Sequence, residues 1–216
     1  TAEGMISIEY EYIEGEYPDG TKYRLQKPIY SVNNPQYGNY SKLAPRIARQ
    51  LIGLGLIEAI SEDSMQLWSD PNDDNNDGIS GRINMVYDKR SNSYLIGKIG
   101  WKAEEAGIYQ QVSKAFSRDI GITTELFIEQ NGTEEQLDTL ELSDAGTPEI
   151  EEEDLMKVVL YMQNLGVPVQ RNYGDEDIIA GKQLFINIGC NDCHREETTT
   201  GNHEFENLSN QKIYPY

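Results

Sequence analysis

Sulfur and imidazole are scarce in this chain, which has two cysteines and two histidines among 216 residues. So few thiols exclude a disulfide-stapled scaffold. Basic residues are few as well, 18 Lys and Arg against 37 Asp and Glu, for a formal charge of -19. A phosphate backbone would be repelled by such a surface, which argues against nucleic acid as a partner. Cations, basic proteins or a merely solvated acidic exterior remain. Long apolar runs are missing too. The longest candidate, LIGLGLIEAI at 51–60, is glycine-interrupted and too short for a membrane span. The opening TAEGMISIEYEYIEG lacks the pattern of a signal peptide, as a trimmed secreted protein and a cytosolic one both would. The length suits one large domain or two small ones, with enough chain to bury a core.

What is present divides by period. MISIEYEYIEG places Ile6, Ile8, Tyr10 and Tyr12 on one face, the pattern of a half-buried strand. YPDG supplies turn chemistry, and TKYRLQKPIYSV resumes extended character, so residues 5–32 read as a hairpin. From Ser41 the period turns helical through SKLAPRIARQLIGLGLIEAI, with Pro45 near the start. SEDSMQLWS reads as a short helix capped by Ser61. An acidic loop and a second hairpin through INMVYDKRSNSYLIGKIGW follow. In AEEAGIYQQVSKAFSRDIG, Ile108, Val112, Ala115 and Phe116 recur at helical spacing before a glycine stop. Residues 129–150 read as polar loop. EEEDLMKVVLYMQNLG is the clearest helix, apolar along Leu155, Val158, Val159, Met162 and Leu165. A last helix begins near Asp177. The expected fold class is mainly α with a small β-hairpin portion.

That last helix delivers both cysteines and one histidine at once, as GKQLFINIGCNDCHREE over 181–197. The spacing C-x-x-C-H is that of covalent haem attachment, in which each thiol adds to one porphyrin vinyl and the adjacent imidazole reaches the iron. Cys190 and Cys193 would hold the haem c, and His194 would be the proximal ligand. A redox dithiol and half a zinc site are the rivals. No second CxxC completes a zinc site, and no thioredoxin-like strand precedes the motif. The pattern G-x-x-L-F-x-x-x-G-C-x-x-C-H, with Leu184 and Phe185 placed to pack on a flat apolar ligand, resembles the first helix of class I cytochromes c. A disulfide or free thiols would describe a recombinant sample in which haem was never attached.

The acidic loop DDNNDGISGRIN matches the first half of a calcium-binding EF-hand loop, with Asp73, Asn75 and Asp77 at positions 1, 3 and 5 and the Ile79 carbonyl at 7. Asn84 stands at position 12, where a bidentate Glu is expected. Asp70 or Asp74 could make up the charge. The alternative is an Asx-rich turn satisfied by its own backbone.

A wider resemblance rests on RIARQLIGLGLIEAI, DPNDDNNDGISGRIN, GKIGWKAEEAGIYQQVSKAFSRDIGITTELF and LSNQKIYPY, in one consistent order from about Ile6 to Tyr216. These stretches resemble the bacterial di-haem oxidoreductase family, labelled peroxidase or thiol oxidoreductase and related to di-haem cytochrome c peroxidases. The resemblance implies two cytochrome c-like helical haem domains, incomplete here. Residues 1–168 would be the remainder of the first, its CxxCH upstream, and residues 169–216 the beginning of the second, its distal ligand beyond Tyr216. On that reading the chain is an internal fragment, inactive alone. GWKAEEAGIYQQ is similar to a segment in which a tryptophan lies between the haems and a glutamine lines the peroxide site, matching Trp101 and Gln111. Asp119 lies in the region of the acid that helps cleave the O–O bond. Arg46 and Glu58 are not assigned catalytic roles.

The resemblance implies a haem c-dependent electron-transfer protein, the parent a peroxidase-like di-haem enzyme of the periplasm or another extracytoplasmic compartment. Its partners would be a redox protein or a small oxidant such as peroxide. The alternatives are a non-catalytic mono-haem electron-transfer module with a structural calcium, and a calcium-stabilised binding protein whose CxxC is a disulfide. Nothing in these residues supports a thiol substrate. Lacking a closing helix, residues after about Asn191 are expected to be irregular and to lean on the rest of the chain. The 151–165 helix should be well ordered, and His203 is the candidate for a second iron ligand.

Overall fold

The computed structural model describes residues 4–35, 43–132, 137 and 146–215. It divides into two compact units, Thr1–Ala48 with Gly132–Ser143, and Arg49–Asn131 with Asp144–Tyr216. Most of the expected 129–150 loop and Ser41, where a helix was expected to start, lie outside the described residues.

The first unit contains one antiparallel ribbon, β1 (Met5–Glu16) with β2 (Lys22–Asn33), in register from Met5 opposite Asn33 to Glu16 opposite Lys22. The turn closes through Tyr17 N–H donating to the Thr21 carbonyl at 2.8 Å, while Thr21 N–H donates to Asp19 Oδ1 at 2.9 Å. That backbone bond holds the Asp19 carboxyl below its ordinary range. The alternation forms the strand, but it does not half-bury it. Ile6, Ile8, Tyr10 and Tyr12 are all 47% exposed or more. In a two-stranded ribbon each side chain is shielded chiefly by its cross-strand neighbour.

The expected helix over 41–60 shrinks to α1 (Leu54–Glu58). Gly53 stands in the left-handed region at φ 76, which stops a right-handed helix from running through it. Upstream, Ile47 is 82% exposed and Leu51 51% exposed, so no buried face rewards helix formation there. The other helices follow their signals. α2 (Glu62–Trp68) starts at Ser61, whose Oγ accepts from Ser64 N–H at 3.2 Å. α3 spans Ile108–Asp119, α4 Glu152–Gln163 and α5 Glu176–Asn187.

The core of the second unit is the seam between α3 and α4. Ile108, Tyr109 and Val112 meet Leu155, Val159 and Met162, with Ile99 beside them. Glu58 fastens α1 to both helices: its Oε1 accepts from Ile108 N–H at 2.7 Å and its Oε2 from Gln163 Nε2 at 2.8 Å. The hairpin β3 (Met85–Asp88) and β4 (Ser93–Ile96) is tied to α3 by Gln110. Gln110 accepts from Lys89 N–H at 2.6 Å and donates to the Tyr87 carbonyl at 3.2 Å and Glu105 Oε2 at 2.6 Å. The second oxygen of buried Glu105 is paired with Lys114.

The segment after Asn191 is mostly irregular, as expected, but it is closed by a short ladder. β5 (Thr198–Thr199) pairs with β6 (Lys212–Ile213), and Thr200, Leu208 and Ile213 are buried. Thr200 does the closing, its Oγ1 donating to the Leu208 carbonyl at 2.6 Å and accepting from Gln211 N–H at 2.8 Å. Contacts with earlier residues hold the segment, as Gly201 N–H donates to the Ala59 carbonyl at 2.7 Å and Asn207 Nδ2 to Asn164 Oδ1 at 3.2 Å.

Candidate haem-attachment site

α5 is a helix with no buried residue, although Ile179, Leu184 and Ile188 are 57% exposed or more. Asp175 caps it, accepting from Asp177 N–H at 2.9 Å, and Glu176 and Asp177 face the positive end of its dipole. At Gly189 the chain turns left-handed, φ 81, and restarts as α6 (Cys190–Cys193), a single turn. A side chain at 189 would be strained at that φ and would meet Asp192 Oδ2 at 2.9 Å, which is why glycine precedes the first cysteine.

One turn of helix puts residues three apart on one face, so the two thiols share a side of α6. Both are free, Cys190 half-buried and Cys193 exposed. His194 leaves the helix in extended conformation, its N–H still bonded to the Cys190 carbonyl at 2.9 Å. Its exposed ring meets the Phe185 ring edge-on, with centroids 6.2 Å apart. Lys182 pairs with Glu196 at 2.7 Å and so ties α5 to the residues after the motif.

His203 is not arranged as a partner ligand. Its Nδ1 accepts from Phe205 N–H at 3.2 Å, and its own N–H donates to Ser209 Oγ at 2.8 Å. An accepting Nδ1 places the ring proton on Nε2, the nitrogen that would have to bind a metal. The ring serves as a cap for its own turn.

The residues matched to a peroxide site are spread along α3 and the turn before it. Trp101 is 62% exposed on the turn before α3, with the Arg49 guanidinium 5.1 Å from its ring centroid. Gln111 is half-buried near the start of α3, and Asp119 is exposed as its last residue. Eight residues of helix separate the latter two by about 12 Å along the axis.

The acidic loop satisfies itself. Asp73 accepts from Gly78 N–H at 3.1 Å, Asn75 Oδ1 from Asp77 N–H at 2.9 Å, and Asp77 Oδ1 from Ile79 N–H at 2.8 Å. Asp70 accepts from Asp74 N–H at 2.9 Å. Asn84 turns away, its Nδ2 donating to the Lys102 and Ala103 carbonyls at 3.0 Å each. Among the described residues no group of three or more His, Cys, Asp or Glu is placed to hold a metal ion. None of the described helices is long and apolar enough to cross a membrane.

Two polar clusters were not legible in the sequence. Lys98 Nζ donates to the Glu58 and Ile60 carbonyls at 2.9 and 2.8 Å, and burial pulls its amine below the ordinary range. Tyr109, a buried residue, donates through its hydroxyl to Glu152 Oε2 at 2.7 Å. Only the place of Tyr109 on an apolar helix face hinted at its burial.

Two thiols on α6 and an imidazole just after it stand beside the apolar residues of α5. The chain belongs to the di-haem oxidoreductase family, whose model, described as "Di-haem oxidoreductase, putative peroxidase", matches residues 1–216. By family it is an oxidoreductase that uses haem. No curated protein and no solved structure matches it. The residues present fit the group, since both thiols are unbonded, the imidazole is accessible, and Leu184, Ile188 and Phe185 offer apolar surface beside them.

Proposed function

We propose that this chain carries haem c, bound through Cys190 and Cys193 with His194 as the iron's proximal ligand, and serves electron transfer in a peroxidase-like oxidoreductase. The observation that carries the reading is the pair of free thiols one helical turn apart, followed by an accessible imidazole, on a helix that buries nothing. Each thiol adds its S–H across one vinyl group, which forms a C–S and a C–H bond with no net oxidation. Haem bound there supplies one-electron chemistry, at a potential set by the axial ligand and by burial. The chain's own residues do the rest. Gly189 sets the angle of α6, Phe185 steadies the imidazole, and the apolar side of α5 excludes water from the group it meets. Cytochrome c-like domains, the boundary near residue 168, an extracytoplasmic location and a redox protein or peroxide as partner belong to the same proposal.

The chain produced where haem-ligation machinery is active should gain the mass of one haem on the peptide containing Cys190 and Cys193. The Cys190→Ala, Cys193→Ala double variant should lose the adduct completely. An unmodified peptide in the wild type sinks the reading.

A calcium ion at the 70–79 loop belongs to the same proposal, since its carboxylates accept backbone N–H groups and keep lone pairs for a cation. Calcium is expected to raise the melting temperature over that in chelator by mass action, and the rise should disappear in Asp77→Ala. Coincident melting curves would reject the site.

A further inference from the structure

Among the described residues Tyr109 is the one buried tyrosine, 9% exposed, and it belongs to the core cluster between α3 and α4. Its hydroxyl donates to Glu152 Oε2 at 2.7 Å, at the half-exposed first residue of α4. The Arg90 guanidinium lies 4.0 Å from its ring centroid. Burial, the bond to Glu152 and the charge of that carboxylate raise the phenol far above its ordinary range, opposed by Arg90. Tyr109 therefore stays protonated at any working pH. An oxidised phenol, by contrast, is a strong acid, and here a base already holds its proton.

We propose that Tyr109 is a redox-active tyrosine, giving one electron to a strong one-electron oxidant while its hydroxyl proton crosses to Glu152. The proposal rests on the haem reading for the natural oxidant, a peroxide-oxidised haem. The O–H bond breaks, the electron reduces the oxidant by one equivalent, and the proton converts the Glu152 carboxylate to the neutral acid. A neutral phenoxyl radical remains in the core, flanked by Ile108, Val112, Leu155 and Met162 and shielded from other radicals. An electron from a donor returns the Glu152 proton and restores the pair. Arg90 is a positioning residue that balances the carboxylate's charge.

The test uses photogenerated tris(bipyridine)ruthenium(III), with persulfate as the sacrificial acceptor, on the chain without haem. Freeze-quenched electron paramagnetic resonance should show a tyrosyl signal that outlasts those of exposed tyrosines. Tyr109→Phe should remove the persistent signal, and Tyr161→Phe, at a 63% exposed position, should leave it. Glu152→Gln should slow its formation by on the order of 10²-fold, the usual worth of a placed base. A structural Glu152 would move the melting temperature and leave that rate unchanged. The proposal is overturned if the persistent signal survives in Tyr109→Phe or forms at the wild-type rate in Glu152→Gln. Should Tyr109→Phe fail to fold, Glu152→Gln carries the test alone, since its site is half-exposed. The photo-oxidant needs no haem, so a failure here leaves haem attachment standing, and a failed attachment leaves this result standing.

Discussion

Leu155→Ala is expected to destabilise the chain by about 2–5 kcal/mol, a fall in melting temperature on the order of 10 °C. Leu155 is 1% exposed and belongs to the cluster that joins α4 to α3, so truncation loses transfer energy and leaves a cavity. Its neighbours sit on regular helices, and two helices held by further pairs cannot collapse onto one missing side chain. Leu160→Ala, one and a half turns along the same helix at a 47% exposed position, is the control and should cost about 1 kcal/mol or less. Urea unfolding of the two variants checks both numbers. A Leu155→Ala loss no larger than the Leu160→Ala loss would show that the α3–α4 seam is not the core.

Gly55→Ala adds one methyl group and is expected to cost about 1–3 kcal/mol. A Cβ at position 55 would stand 2.0 Å from the Gln163 carbonyl oxygen, a backbone atom that no rotamer change can move aside. α1 would have to draw away from α4. That shift pulls Glu58 off Ile108 N–H and Gln163 Nε2, leaving a buried donor at the start of α3 without its acceptor. Hydrogen exchange at the Ile108 amide should accelerate along with the loss of stability. Gly166→Ala is the matched control, since no heavy atom lies within 4 Å of its Cβ position, and should change stability by less than about 1 kcal/mol. Equal behaviour of the two variants would show that α1 does not pack on α4 as described.

Local signals were readable where one residue or one period suffices. Ser61 announced α2 and the apolar row from Leu155 to Met162 announced the buried side of α4, whereas the break at Gly189 between α5 and α6 was not read. The residues proposed to attach haem were legible for the same reason, because thiol, thiol and imidazole are neighbours in the chain. The helix over 41–60 failed because Gly53 turns left-handed and Ile47 and Leu51 stay exposed before it. Irregularity after Asn191 holds for most of that segment, but its closure was missed because Thr200 bonds to residues eight and eleven places away, a pairing no period reveals.

The sequence by itself determined the neighbourhood of Cys190, Cys193 and His194, the starts and faces of the longer helices, and the ribbon at 5–33, since each depends on residues close in the chain. Which faces are buried was decided only by tertiary structure. Ile6, Ile8, Tyr10 and Tyr12 alternate as a buried strand would and yet stand exposed, because burial needs a second surface that alternation does not encode. The pairing of Tyr109 with Glu152 spans 43 residues, and Glu58 reaches Gln163 across 105. A hydrogen bond of that reach exists only once the helices have packed, so its partners leave no mark on local sequence.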